Sequence, residues 1–311
     1  MENNFHHIPV LLHESIAVLN IRPDGLYVDC TGGGGSHSAA IAECLGSGGR
    51  LIIVDRDPQA IAALQVRFAG NPQITIIQHN FHQMQALFAQ LQLSGADGIL
   101  ADLGTSSVHM DTPERGFAYG LAGELDMRME MQGFSAAQAV NTLPPEQLRD
   151  ILYRFGEEKF APQIVRGIVK AREEAPIRTT LELAEIVRNN VPAAVRREKG
   201  HPARKTFQAL RIFINDEIDG LDAALDGLFE CLKVSGICCI IGFHSIENRI
   251  VKQNFAGHCV GCVCPPAFPV CNCGKLPRGR MLGKAQAPSA KEIAENPRSR
   301  SAQMRAIERL R

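Results

Sequence analysis

Four positions carry side chains able to do chemistry, and each closes an apolar run. Asp29 ends Leu26-Tyr27-Val28 and is followed by Cys30-Thr31 and four glycines, Gly32 to Gly35. Asp55 ends Leu51-Ile52-Ile53-Val54, Asp102 ends Asp97-Gly98-Ile99-Leu100-Ala101, and His244-Ser245 follow Ile237 to Phe243. Consecutive glycines let the backbone take positive φ and let a ligand lie close. The run Ala39 to Leu45 after them has helical character, and a helix N-terminus offers unpaired N–H groups and a positive dipole end. Asp55 lies about 20 residues beyond the turn, the spacing of a carboxylate that holds ribose hydroxyls. Asp102 is a carboxylate beside that cradle, able to accept a proton. His244 could do the same from one strand over, and Ser245 stands next to it.

The pattern narrows the ligand. The dinucleotide fingerprint G-x-G-x-x-G is filled by Gly32 and Gly34, but its third glycine falls on His37, which would spoil close helix packing. An acidic strand end followed by a glycine-rich turn is instead how Rossmann-type enzymes that use S-adenosylmethionine (SAM) begin. The competing reading is an ordinary tight turn of another α/β protein; Asp29 and Asp55 weigh against it.

Positioning these residues requires a parallel sheet. Strand-like runs at 26–29, 51–54, 74–77 and 97–101 alternate with helical stretches at 39–45, 60–68 and 84–93, the signature of a parallel α/β sheet. The ends of its strands then share one rim, where Asp29, Asp55, Phe81, Asp102 and His244 converge. The alternation stops near Asp111, and helical stretches at 146–155, 161–174 and 181–190 follow. The expected fold class is α/β, a Rossmann-like sheet of the kind SAM-dependent enzymes use (1–110 and 214–311), with an inserted all-helical domain (111–213). Phe207, Leu210, Ile214, Leu221, Leu225 and Leu228 recur at helical spacing and predict one long helix back to the sheet. A fifth strand at 237–243 follows, then an irregular basic tail with a last strand near 304–307.

Composition adds bounds. The 311 residues carry 33 Lys plus Arg against 33 Asp plus Glu, so only the distribution of charge is informative. Basic residues cluster at Arg196, Arg197, Lys199, Arg204 and Lys205, and again from Lys275 to Arg311. No apolar run is long enough to span a bilayer, and the first residues lack signal-peptide character; the expectation is a cytoplasmic protein with reduced cysteines. Of ten cysteines, Cys30, Cys44, Cys231, Cys238 and Cys239 sit in apolar segments and read as core. Cys259, Cys262, Cys264, Cys271 and Cys273 cluster beside His258. Their C-x-C pairs are a weaker zinc signal than C-x-x-C pairs, and the expectation is free thiols with no metal.

Several motifs together resemble the RsmH (MraW) family: His7-Ile8-Pro9-Val10-Leu11-Leu12, Asp102-Leu103-Gly104, Arg115-Gly116-Phe117, Leu125-Asp126-Met127-Arg128-Met129, Thr206-Phe207-Gln208-Ala209-Leu210-Arg211, Phe243-His244-Ser245 and Asn296-Pro297-Arg298-Ser299-Arg300-Ser301-Ala302. The match is collinear over nearly the whole chain. The resemblance implies a SAM-dependent methyltransferase acting on N4 of a cytosine in the decoding region of 16S ribosomal RNA, with the small ribosomal subunit as partner. It places the SAM contacts on Gly35, Ser36, His37, Asp55, Phe81, Asp102 and His109, and implies no zinc. The chain has Ser36 where the family has glycine, and His109 where it has glutamine. Cytosine N4 is a weak nucleophile, and a carboxylate accepting an N4–H bond would favour attack; Asp102 is the first candidate, His244 the second. The alternatives are a SAM enzyme acting on DNA or protein, and an RNA-binding assembly protein without turnover. The oligomeric state is left open, with a homodimer as one option.

Overall fold

The computed structural model describes residues 9–197, 200–265, 270 and 272–311. His7 and Ile8 of the opening motif, Lys199 and Cys271 lie outside the described residues. The chain divides into two compact units, Met1–Gly104 with Gly220–Arg311, and Thr105–Asp219. The second unit runs six residues beyond the expected 111–213 at each end.

In the first unit the apolar runs become strands: β1 Leu26–Asp29, β2 Arg50–Asp55, β3 Ile74–Gln78, β4 Ala96–Asp102 and β5 Leu232–Gly242. All five are mutually parallel, and with β6 (Gly279–Met281) and β7 (Gln303–Arg309) they form one sheet in the order β3-β2-β1-β4-β5-β7-β6. β1, β2 and β4 are apolar almost throughout because helices cover both faces of a parallel sheet. Leu19, Ile41, Leu51, Ile53, Leu64, Leu100 and Ile241 are fully buried in one cluster. Each such side chain contributes about 1.5–3 kcal/mol relative to exposure. Strand order reverses between β1 and β4, so the crevice at their C-terminal ends is the switch point where such sheets bind ligands.

The glycine turn is fixed by packing as well as by ligand access. A Cβ on Gly32 would stand 2.6 Å from Ile53 Cγ2 and 2.7 Å from Leu64 Cδ1. Gly35 takes φ 78° as the N-cap of the helix Ser36–Glu43, a conformation that costs other residues. Gly32→Ala is therefore expected to destabilise the fold by about 1–3 kcal/mol through overpacking. Urea unfolding measures this, and an unchanged midpoint would contradict the packing role.

The tail holds more structure than its composition suggests. β7 pairs antiparallel with β5 over Ile237–Gly242 and with β6 over Gly279–Met281. Ser245–Cys259 is a helix of 15 residues. Within β5, residues 233–236 bulge out between the pairs Ala96↔Leu232 and Gly98↔Ile237, with Ser235 at φ 65°. Cys44 is a correction: it caps the end of the helix Ser36–Glu43 and is exposed, whereas Cys30, Cys231, Cys238 and Cys239 are buried as expected.

The second unit contains no named strand among the described residues; its helices include Pro145–Gly156, Ala161–Glu174, Thr180–Asn189 and Arg204–Ile214. Leu148, Ile151, Ile164, Leu183, Phe207 and Leu210 meet in its core. The single long helix expected over 207–228 is two helices, Arg204–Ile214 and Leu221–Glu230. The break lies at Asp216 (φ 49°) and Gly220 (φ 84°). Ile214 and Leu221 are seven residues apart, so the apolar spacing runs across the interruption unbroken. Asn215 ends the first helix because its side chain bonds elsewhere: it donates to Met127 O (2.7 Å) and accepts from Met129 N–H (2.8 Å).

Those bonds explain two of the motifs. Arg115 donates to the carbonyls of Arg128 and Met129, both at 3.0 Å. A Cβ on Gly116 would lie 2.3 Å from Glu124 O and 2.5 Å from Asp126 N. Arg115-Gly116-Phe117 and Leu125 to Met129 thus brace one another, with Met127 fully buried between them.

Candidate active site

Three strand ends of the first unit supply the site. Asp29, the last residue of β1, is buried; its carboxylate accepts from Ser38 Oγ (2.5 Å) and from Thr31 N–H (3.2 Å). Burial pushes its pKa up, against those two bonds. Asp55, the last residue of β2, accepts from Gly33 N–H (2.7 Å) through Oδ2 and from Asp57 N–H (2.8 Å) through Oδ1. It therefore shapes the glycine turn directly, an addition to the ribose role that its spacing suggested.

Asp102 ends β4, on the other side of the switch point. Its backbone N–H donates to Thr31 Oγ1 (2.7 Å), which ties the ends of β1 and β4 together. Its Oδ1 is buried and has no hydrogen-bond partner. Burial, and then the nearby charges of Asp29 and Glu247, hold its pKa well above the ordinary carboxylate range. A buried acceptor without a donor costs about 1–3 kcal/mol, so this oxygen marks a place where a donor or a cation is wanted.

His37, on the first turn of the helix Ser36–Glu43, is buried with Nε2 3.1 Å from Val10 O and Nδ1 4.0 Å from Asp102 Oδ2. Burial lowers its pKa to about 4, so the ring is neutral at pH 7. Because the unfolded ring binds a proton that the folded one resists, stability falls as pH drops from about 6.5 towards 4. Wild type is expected to lose about 2 kcal/mol more than His37→Gln between pH 7 and pH 5. Parallel stability curves for the two proteins in urea would contradict this.

His244 caps the helix Ser245–Cys259: its Nδ1 accepts from Glu247 N–H at 3.4 Å. Its Nε2 stands 2.9 Å from Glu247 Oε1 but outside hydrogen-bond geometry. Both ring nitrogens thus face their own first helical turn, which suits a positioning role. Ser245 begins that helix and is exposed. Glu247 escaped the sequence reading. It is buried, and its Oε2 accepts from the N–H groups of Phe243 (2.8 Å) and His244 (3.3 Å). The signal was available: an acid three residues after an N-cap completes a capping box. Phe81 lies just past β3 and is half-buried.

The structure thus brings Asp29, His37, Asp102 and Glu247 together and sets Asp55 on the turn. His109 falls in the second unit. There its Nδ1 accepts from Ser106 N–H (3.3 Å), and its ring stacks on Phe117 with centroids 4.8 Å apart.

A doubly wound sheet with a glycine turn and acidic strand ends at its switch point defines a Rossmann-like enzyme that binds a nucleoside-type cofactor. The MraW methylase family model matches residues 4–310, and the chain belongs to that family. It is 46% identical to a ribosomal RNA small subunit methyltransferase H from Heliobacterium modesticaldum, with 99% of both chains covered. It is 44% identical to the protein of the same name from Brevibacillus brevis, again over 99% of both chains. A solved rRNA methylase from Clostridium thermocellum covers 97% of this chain and 98% of its own, but at 12% identity and a TM-score of 0.47 it is too distant to add to this.

The methyl donor of such an enzyme is SAM. The residues present fit it. SAM is cationic at its sulfonium and its amino group, and Asp29, Asp55, Asp102 and Glu247 make the rim acidic. The orphaned Asp102 Oδ1 offers a buried acceptor. No side chain caps the helix behind the glycines, which leaves its first N–H groups facing the turn.

Proposed function

We propose that this protein uses SAM to methylate N4 of a cytosine in the decoding region of 16S ribosomal RNA, acting on the small ribosomal subunit in the cytoplasm. The observation that carries the site assignment is the buried, unpartnered Oδ1 of Asp102 at the switch point. Gly35, Ser36 and His37 hold the donor at the turn, Asp55 takes the ribose hydroxyls, and Phe81 packs against the adenine. His109 is a further contact by family resemblance. SAM supplies an electrophilic methyl group when bound. Asp102 accepts an N4–H bond from the cytosine, which turns the nitrogen lone pair out of conjugation, and then takes the proton as the new bond forms. Its raised pKa makes it a stronger base than an ordinary carboxylate, the direction general-base catalysis needs. His244 and Glu247 fix the chain at the end of β5, and Ser245 offers an exposed hydroxyl there. The target base must leave its stack to reach such a site. Among the described residues no helix is long and apolar enough to cross a membrane.

Transfer of labelled methyl from SAM to small subunits, with duplex DNA and bulk protein as parallel acceptors, tests the substrate class. Label in RNA alone is expected; label in DNA or protein alone would overturn it.

The helical unit is proposed to hold RNA through the exposed residues Arg196, Arg197 and Arg204, with Lys205 beside them. In the tail, Arg278 pairs with Glu230 and Arg280 with Glu308, so these two have less to offer phosphates than their composition suggested. Each phosphate contact on a single strand contributes a log–log salt slope of about −0.7. Reversing Arg204 and Lys205 to glutamate is expected to flatten the slope of RNA binding by about 1.4 while leaving SAM affinity unchanged. Identical slopes would remove these two residues from the RNA surface.

A further inference from the structure

The loop between the helix Ser245–Cys259 and β6 brings three thiols to one point. The Sγ atoms of Cys262, Cys264 and Cys273 all lie within 4.8 Å of one another. Cys262 Sγ and Cys273 Sγ are 3.8 Å apart, and none of the three cysteines is in a disulfide. Four ligands at about 2.3 Å from a tetrahedral ion stand about 3.8 Å from each other. The observed separation is therefore the edge of such a tetrahedron.

The surrounding backbone favours thiolates. Val263 N–H points to Cys273 Sγ and Cys264 N–H to Cys262 Sγ, both at 3.4 Å. N–H bonds to sulfur spread the charge of several clustered thiolates, as the outer contacts of a metal site do. Among the described residues of this loop, Val263, Val270 and Leu276 are more than half exposed. A short segment without an apolar core needs another kind of staple.

We propose that Cys262, Cys264 and Cys273 bind one zinc ion as three thiolates, with a further ligand completing the tetrahedron, and that the ion staples this loop. Clustered soft thiolates select zinc, copper(I) or iron over hard cations, and zinc is the ion a tetrahedral structural site most often holds. Among the described residues the site comprises these three cysteines, and the C-x-C spacing that suggested free thiols is here compatible with a shared ion.

The test uses the full chain purified under reducing conditions in zinc-supplemented medium. Elemental analysis is expected to find about one zinc per chain, and X-ray absorption at the zinc edge at least three sulfurs at about 2.3 Å. Cobalt substituted for zinc should show sulfur-to-cobalt charge transfer and tetrahedral d–d bands. Cys264→Ser and Cys273→Ser should lose most of the metal, whereas Cys44→Ser, an exposed cysteine outside the cluster, should keep it. Metal-free protein that retains no zinc after addition and dialysis would overturn the proposal. So would a Cys262–Cys273 disulfide in the reduced preparation, bound iron or copper in place of zinc, or full zinc content in both cluster variants. Because metal content and spectra are read directly, a variant with altered activity does not blur the answer.

Discussion

Asp102→Ala is expected to lower methyl transfer about 10²–10⁴-fold, the range over which a positioned proton acceptor contributes. Asp102→Asn should do nearly as much, because it keeps the shape and loses the ability to take a proton. Neither variant should unfold. The folded pKa of Asp102 is raised above its unfolded value, so this group favours the fold at pH below the ordinary carboxylate range. That contribution is lost as pH rises through the folded pKa. At pH 7 and above, removing the charge is therefore expected to leave the urea midpoint unchanged or higher. The same shift links Asp102 to the donor: a cation binds better beside an ionised carboxylate. SAM affinity of wild type should weaken as pH falls through the raised pKa, and the Asn variant should lose that dependence. Calorimetry and single-turnover kinetics together check this. Wild-type turnover in a folded Asn variant would remove Asp102 from the reaction.

Asp55→Ala is expected to weaken SAM binding roughly 100-fold or more. A carboxylate hydrogen bond contributes about 1.5–3 kcal/mol, and here the ribose contacts are lost together with the anchor of the turn. Asp55 accepts from Gly33 N–H and Asp57 N–H, so its removal frees the glycine turn as well as a ligand hydroxyl. Asp55→Asn separates the two roles: its amide oxygen can still accept from one backbone N–H. It should recover part of the affinity and most of the stability. Equal SAM affinity in wild type and folded Asp55→Ala would contradict both roles.

What was legible in the sequence followed from period and punctuation. Asp29, Asp55 and Asp102 each close an apolar run, and the parallel sheet turns that one-dimensional fact into a shared rim. Gly32 was legible as a turn residue, but not as a packing one, because Ile53 and Leu64 meet it only in three dimensions. The break at Asp216 was hidden because Ile214 and Leu221 preserve helical spacing across it. β6 was hidden for the opposite reason: three residues, Gly279–Met281, show no alternation and are strand only by pairing with β7. His244 read as a catalytic base from its place past β5. Its contact with Glu247 was not legible, because the burial of that partner depends on the helix that follows. The motif residues Arg115 and Gly116, and Asn215 outside any motif, gave no sign of bracing the segment Leu125 to Met129, since their bonds span up to 88 residues of chain. The charges of the tail were legible as composition, but which of them pair with Glu230 and Glu308 was not.

The most direct test of the central claim is the identity of the nucleotide that receives the methyl group. Purified protein, methyl-labelled SAM and small subunits lacking the modification are incubated, the RNA is digested, and the labelled nucleoside is identified by mass spectrometry and mapped. The expected result is label in N4-methylcytidine at one position of the decoding region with wild type, and none with Asp102→Ala. Label in a different nucleoside, at a different region of the RNA, or at wild-type level with Asp102→Ala would contradict the account.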